Sequence, residues 1–319
     1  MYNNGLWRNG GSGNDTIDLR YQLPWDVKDN ADGGAGDDTI YGNMADNNLI
    51  GGRGNDTISG GTGEDNINGG QDDDALYGED GSDYLIGGSG VDLLDGGADN
   101  DIMIGGADDD IFYGGTGNDY IYDDFDPGND TGSDRMDGGD GNDKIFSSNG
   151  NDKIYGRAGD DTITIQNYAG HNHFDDSLEI HGGSGADMLD FSGDGTVTSF
   201  HGLGAHTDGI ESLKLDYDHT MSLSLSAQQI MSASTTDHLL ISGNLNDTLD
   251  LTSVLINGRA TPGEHWEFTG ATHGEFDANG TFARFNTVNY VAQNGDVLAS
   301  VDVESTIHVN LHDPVFLFV

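Results

Sequence analysis

Cysteine is absent from the sequence. No disulfide can brace the chain, so stability outside a reducing compartment must come from another source. Positive charge is nearly as scarce. Eleven lysines and arginines stand against 57 aspartates and glutamates, a formal net charge of −46. That sign argues against a nucleic-acid partner and against anionic membrane surfaces, both of which would repel it. Long apolar runs are missing: nothing approaches about 18 consecutive apolar residues, so no segment reads as a membrane-spanning helix. The opening MYNNGLWRNGGSGND has no apolar core behind a basic start and does not read as a secretory leader. Catalytic signatures are lacking too. There is no thiol nucleophile, no H-E-x-x-H and no G-x-S-x-G, so the expectation is a chain that is not itself an enzyme.

Glycine is abundant, with 52 residues. GGRGNDTIS (51–59) is followed directly by GGTGEDNIN (60–68), and the nine-residue frame runs unbroken from Gly33 to Tyr122. It resumes over 129–164, then at 182–190, and one separate copy stands at 10–18, for sixteen copies in all. Place eight is apolar in every copy, from Ile17 to Leu189. Place six is aspartate in fifteen: Asp15, Asp38, Asp56, Asp65, Asp74, Asp83, Asp92, Asp101, Asp110, Asp119, Asp134, Asp143, Asp152, Asp161 and Asp187. Asn47 is the exception. A flexible Gly/Asp linker would have no reason to hold an apolar residue at one phase through ten consecutive copies. The chain begins almost inside a repeat, which reads as a trimmed fragment.

Three residues around place eight form a short strand with place eight inward, and the six before them form a turn. Glycines allow positive φ there and bring peptide carbonyls close together. Two nonads complete one turn of a coil, and successive turns stack about 4.8 Å apart. Aspartates of alternate copies then face one gap, in two ladders: Asp38, Asp56, Asp74, Asp92, Asp110 and Asn47, Asp65, Asp83, Asp101, Asp119. Neighbouring carboxylates about 5 Å apart repel by a few kcal/mol at an effective dielectric near 20. The coil therefore needs cations in the gaps. Carboxylates with converging carbonyls form an all-oxygen cage, which suits several calcium ions better than magnesium or zinc. Carbonyl donors are expected among Gly33, Gly34, Gly36, Gly51, Gly52, Gly54, Gly60, Gly61, Gly63, Gly69, Gly87, Gly88, Gly90, Gly96, Gly105, Gly114, Gly117, Gly138, Gly141 and Gly159.

GGAGDDTIY, GGRGNDTIS and GGTGNDYIY resemble the RTX nonapeptide, GGxGxDxUx, of hemolysin-type calcium-binding proteins. The resemblance implies an all-β fold, a right-handed parallel β-roll with calcium between its turns, followed by a β-rich C-terminal cap. It also implies export from a Gram-negative bacterium through the type I secretion machinery, with an uncleaved C-terminal signal and a final location outside the cell or on its surface. The expected organisation is a flank with one isolated repeat (1–32), a roll (33–190) with inserts at 123–128 and 165–181, and a capping and secretion-signal region (191–319). A complete short RTX adhesin or host-signalling factor, or the non-catalytic end of a larger enzyme or toxin, is the alternative.

Departures single out particular turns. GNMADNNLI (42–50) lacks two glycines and the aspartate, so the site it shares with Asp65 is expected to be weak or missing. GGQDDDALY, GGADNDIMI and GGADDDIFY carry aspartate at place four, which tolerates left-handed backbone, so those turns are expected to survive. SSNGNDKIY (147–155) replaces both leading glycines by serine, so its site is expected to be compromised as well. The insert at 123–128 is expected to bulge and leave both ladders in phase, with Asp110 continuing to Asp134 and Asp119 to Asp143. One outward face collects Ile50, Tyr84, Ile86, Ile102, Ile104, Tyr120, Tyr122 and Phe146, an apolar patch expected to be covered by the C-terminal region or a second copy. His171, His173 and His181 read as exposed loop histidines rather than ligands. Beyond residue 190 the frame stops, and short β-type runs follow, ESLKLDY, MSLSLSA, DHLLISG, DTLDL, NTVNYVA, VLASVDV and TIHVNL, with a helical turn at 227–234 and an apolar end, DPVFLFV.

Overall fold

The computed structural model describes residues 7–21, 29–124, 132–148, 150–166, 178–192 and 207–214. It also describes the strand backbone at 222–226, 238–242, 248–252, 255–256, 259–260, 265–276, 282–291, 297–304 and 308–312. Among the described residues every regular element is a strand. The fold is all-β, and the repeats stack as a parallel β-roll. The chain divides into two compact units, 1–163 and 164–319.

In the first unit alternate nonads feed two sheets. Sheet one stacks Trp7–Ser12, Asn30–Ala35, Asn48–Arg53, Asn66–Gln71, Tyr84–Ser89, Ile102–Ala107, Tyr120–Tyr122 and Lys144–Ser147, all parallel. Sheet two stacks Thr16–Asp18, Thr39–Tyr41, Thr57–Thr62, Ala75–Asp80, Leu93–Ala98, Ile111–Thr116, Arg135–Asp140 and Lys153–Ala158, also parallel. Place-eight side chains line the space between them. Leu49, Ile67, Leu85, Met103, Ile121 and Ile145 sit level in sheet one, and Ile58, Leu76, Leu94, Phe112, Met136 and Ile154 in sheet two, each fully buried. Each contributes about 1.5–3 kcal/mol. One such side chain per nine ordered residues is a thin core, so much of the ordering entropy falls to backbone hydrogen bonds and to whatever fills the turns.

The strands are longer than the repeat alone indicates. Six-residue strands such as Asn48–Arg53 run through places seven to three, and the turn shrinks to places four to six. The glycines after place nine stay in the strand because Gly52 and Arg53 continue the pairing with Gly34 and Ala35. Place four then takes positive φ, and Asp72, Asp99 and Asp108 adopt it at 74–81°, so aspartate does replace glycine there.

Phase survives both interruptions in this unit. Ile111–Thr116 pairs in register with Arg135–Asp140, and Tyr120–Tyr122 with Lys144–Phe146, across the insert. The repeat at 10–18 is distant in sequence but not in space, since Thr16–Asp18 pairs with Thr39–Tyr41.

The apolar face is interrupted at one end. Register sets Ile86, Ile104, Tyr122 and Phe146 in one row, whereas Asn68 separates Ile50 from it. Tyr122 and Phe146 stack with ring centroids 4.5 Å apart. Tyr84, Ile102 and Tyr120 form the neighbouring row, closed by Lys144, whose Nζ donates to the Tyr120 hydroxyl at 2.8 Å.

In the second unit Met188–Ser192, Ser212–Lys214, His238–Ser242 and Val297–Glu304 form a parallel stack, and Phe282–Val291 and His265–Phe276 join it antiparallel. Ser222–Ser226, Thr248–Thr252 and His308–His312 form a second parallel sheet. Each of the seven β-type runs contains a strand. His265–Phe276 escapes sequence reading because Gly270 and Gly274 look like breakers. The 227–234 segment, His171, His173 and the apolar end at 313–319 lie outside the described residues.

Candidate metal centre

The site repeats along both edges of the roll, where place five turns the chain and place six re-enters a strand. The place-six carbonyl accepts the place-seven N–H one turn on, as in Thr57 N to Asp38 O at 2.9 Å and Ile102 N to Asp83 O at 2.9 Å. The side chain is fixed as well: Oδ1 of each aspartate accepts the backbone N–H of the place-six residue one turn before. One ladder runs Asp15, Asp38, Asp56, Asp74, Asp92, Asp110, Asp134, Asp152, with N···O of 2.7–3.0 Å. The other runs Asn47, Asp65, Asp83, Asp101, Asp119, Asp143, Asp161, at 2.6–2.9 Å. Asp187 N–H donates instead to the Glu211 carboxylate at 3.0 Å. Apart from half-buried Asp15, all the place-six aspartates are at most 3% exposed.

One oxygen remains. Oδ2 of Asp38, Asp56, Asp74, Asp83, Asp92, Asp101, Asp119 and Asp143 is buried and accepts no hydrogen bond. A buried carboxylate oxygen left so is costly. The place-one glycine of the same nonad faces it. A Cβ on Gly33 would run into Asp38 Oδ2 and come within 2.7 Å of the Gly51 carbonyl oxygen. Gly51, Gly60, Gly69, Gly78, Gly87, Gly96, Gly105 and Gly138 repeat the clash with their own aspartates. The space a side chain would fill is bordered by a carboxylate oxygen and, from the next turn, a peptide oxygen. Gly34, Gly52, Gly61 and Gly88 at place two and Gly36, Gly54, Gly63, Gly90, Gly117, Gly141 and Gly159 at place four hold positive φ around it.

Without a cation the ladders resist ionisation. Burial pushes the carboxyls of Asp74 and Asp101 up to about 8, Asp92 and Asp119 to about 7, and Asp56, Asp83 and Asp143 to about 6. The ladder N–H bonds oppose this, and neighbouring carboxylates add to it. Oxygen donors alone, negatively charged and spaced along a gap, fit a hard divalent cation of flexible coordination such as calcium.

Residues 28–58, 50–85, 59–94, 86–121 and 128–163 match the family model of the RTX calcium-binding nonapeptide repeat (4 copies). Residues 28–163 are an RTX repeat array. A search of curated proteins finds no match. RTX nonapeptide repeats bind calcium, and the buried aspartate ladders lie within and beside the array.

Sequence reading missed three acidic residues here. Asp29 occupies place six of a glycine-free nonad, 24–32, whose place eight is the buried Ala31. Glu211 does so in 206–214, where Gly209 at place four and Leu213 at place eight carried the signal. Asp123 lies outside the frame altogether, 2% exposed, and burial raises its carboxyl well above the ordinary range. His181, expected in an exposed loop, instead lies half-buried on the strand Glu179–Ser184 and pairs with Asp208, Nδ1 to Oδ1 at 2.7 Å. Among the described residues no helix is long and apolar enough to cross a membrane.

Proposed function

We propose that the chain is the calcium-dependent folding module of a secreted protein, with the fifteen place-six aspartates supplying carboxylate oxygens and place-one glycines supplying carbonyls to ions seated between turns. The row of buried Oδ2 atoms without hydrogen-bond donors carries this reading. Extracellular calcium modules commonly bind at about 10⁻⁴–10⁻³ M. In a calcium-poor cytoplasm the acidic chain stays unfolded and can be threaded through a type I exporter. Outside, binding supplies the folding free energy. Residues 33–190 are assigned to the calcium-dependent roll and 191–319 to a cap and secretion signal, with 1–32 as the N-terminal flank. The module itself carries no catalytic role in this reading. The apolar rows through Ile86, Tyr122 and Phe146 and through Tyr84, Ile102 and Tyr120, with Ile104 itself buried, serve contact with a protein partner or a second copy, which sedimentation in calcium tests.

Isothermal titration of the full chain with calcium and, separately, magnesium tests the function. Binding of several calcium ions, with magnesium failing to compete at equal concentration, is expected. Equal uptake of both ions, or none of either, contradicts it.

A further inference from the structure

Place one is glycine on nearly every turn because a side chain there would enter the cation cradle. Two stacked positions break that rule. Ser147 occupies place one of its nonad, and sheet-one register sets Asp123 level with it. Gly106 N–H donates to the Asp123 carbonyl at 2.7 Å, and Asp123 N–H donates to Phe146 O at 3.2 Å, so Asp123 sits on the ladder edge as a strand residue. The insert separates it from Asp134 by eleven residues instead of five, which removes the usual clash.

One oxygen from each of Asp123, Asp134 and Asp152 lies within 4.8 Å of the others, and all three residues are buried. Among the described residues no other three His, Asp or Glu do this. Hydroxyl and peptide groups surround them. Ser147 Oγ donates to Asp152 Oδ2 at 2.6 Å, and the N–H groups of Asp124 and Ser148 donate to Asp123. These donors are neutral and do not cancel three adjacent carboxylates. A separate observation points to a missing ligand. Ser148, whose N–H donates to Asp123, is 1% exposed, and its buried Oγ has no hydrogen-bond partner.

We propose that Asp123, Asp134 and Asp152, with the Ser148 hydroxyl, form a high-charge calcium site at the insert, where two ladder aspartates gain a third carboxylate that the other gaps lack. The ladder supplies one carboxylate per turn and glycine carbonyls. Here a third carboxylate replaces a glycine, and affinity rises with ligand charge. This site fills first. The inference rests on the calcium reading of the array.

The test uses the full chain and two variants, Asp123→Asn, which keeps the shape, and Asp123→Gly, which restores the glycine of other turns. Bound calcium is counted by equilibrium dialysis, and circular dichroism in saturating calcium monitors the fold. Both variants are expected to bind one ion fewer, to lose the tightest binding step by on the order of ten-fold or more, and to keep the β signal. An unchanged count in either variant, or the loss of several ions or of the β signal in both, overturns the proposal. If the unaltered chain binds no calcium, the failure belongs to the calcium reading itself, a result readily told apart.

Discussion

Asn47 and Asp65 occupy the same place on the same edge, one turn apart, and solve the same problem with different chemistry. Asn47 closes its turn with its own amide. Its Nδ2 donates to the Asp29 carbonyl at 2.8 Å and its Oδ1 accepts the Asn43 N–H at 2.8 Å. Asp65 and the aspartates that follow it hold one oxygen in a hydrogen bond and aim the other at a glycine cradle. An amide brings both donor and acceptor, whereas a carboxylate brings only acceptors and must take its positive partner from outside. The comparison teaches that stacking does not itself require a cation. Burying a ladder of carboxylates does.

The sharpest way to separate the two kinds of turn is pH, because only the carboxylate turns titrate. In chelator the folded-state carboxyls lie raised, at about 6–8 against 3.8. A raised carboxyl favours folding fully below about 3.8 and loses that contribution as pH climbs through 6–8. Calcium-free chain should therefore gain β signal in circular dichroism as pH falls from 8 towards 4. In saturating calcium the carboxylates are ionised in both folded and unfolded states, and the signal should stay level from pH 8 to about 5. A flat profile in chelator breaks the comparison.

Mid-ladder, Asp101→Asn imports the Asn47 chemistry without its partners. Calcium affinity at the adjoining gaps should fall by on the order of 10–100-fold, read by calorimetry. Gly88→Ala probes the backbone that both kinds of turn share. At φ 123° and facing the Gly70 carbonyl, the added Cβ should cost about 1–3 kcal/mol in urea unfolding with calcium present. Asn47→Asp reverses the natural exception, and one further bound ion with about 1–3 kcal/mol less stability in chelator is expected. Ser147→Ala removes the hydroxyl that satisfies Asp152 Oδ2, with an expected loss of about 1 kcal/mol in the same assay.

Sequence carries the ladders because their cause is periodic. Place eight and place six recur at nine, so both sheets and the order Asp65, Asp83, Asp101, Asp119 follow from spacing, and even the insert before Asp134 leaves phase intact. What stays hidden is what departs from the period. Asp29 and Glu211 sit in copies stripped of most glycines, and Asp123 acquires its neighbours through sheet register rather than spacing. The hydrogen bond that commits Oδ1 of Asp38, Asp56, Asp74, Asp83, Asp92, Asp101, Asp119 and Asp143, and leaves their Oδ2 without a donor, is a fact of side-chain geometry that no pattern of letters contains.

The most direct measurement is far-ultraviolet circular dichroism of the full chain at pH 8 during a calcium titration from excess chelator. A cooperative rise in β signal at about 10⁻⁴–10⁻³ M free calcium is predicted. The same β signal in excess chelator as in calcium would contradict the account.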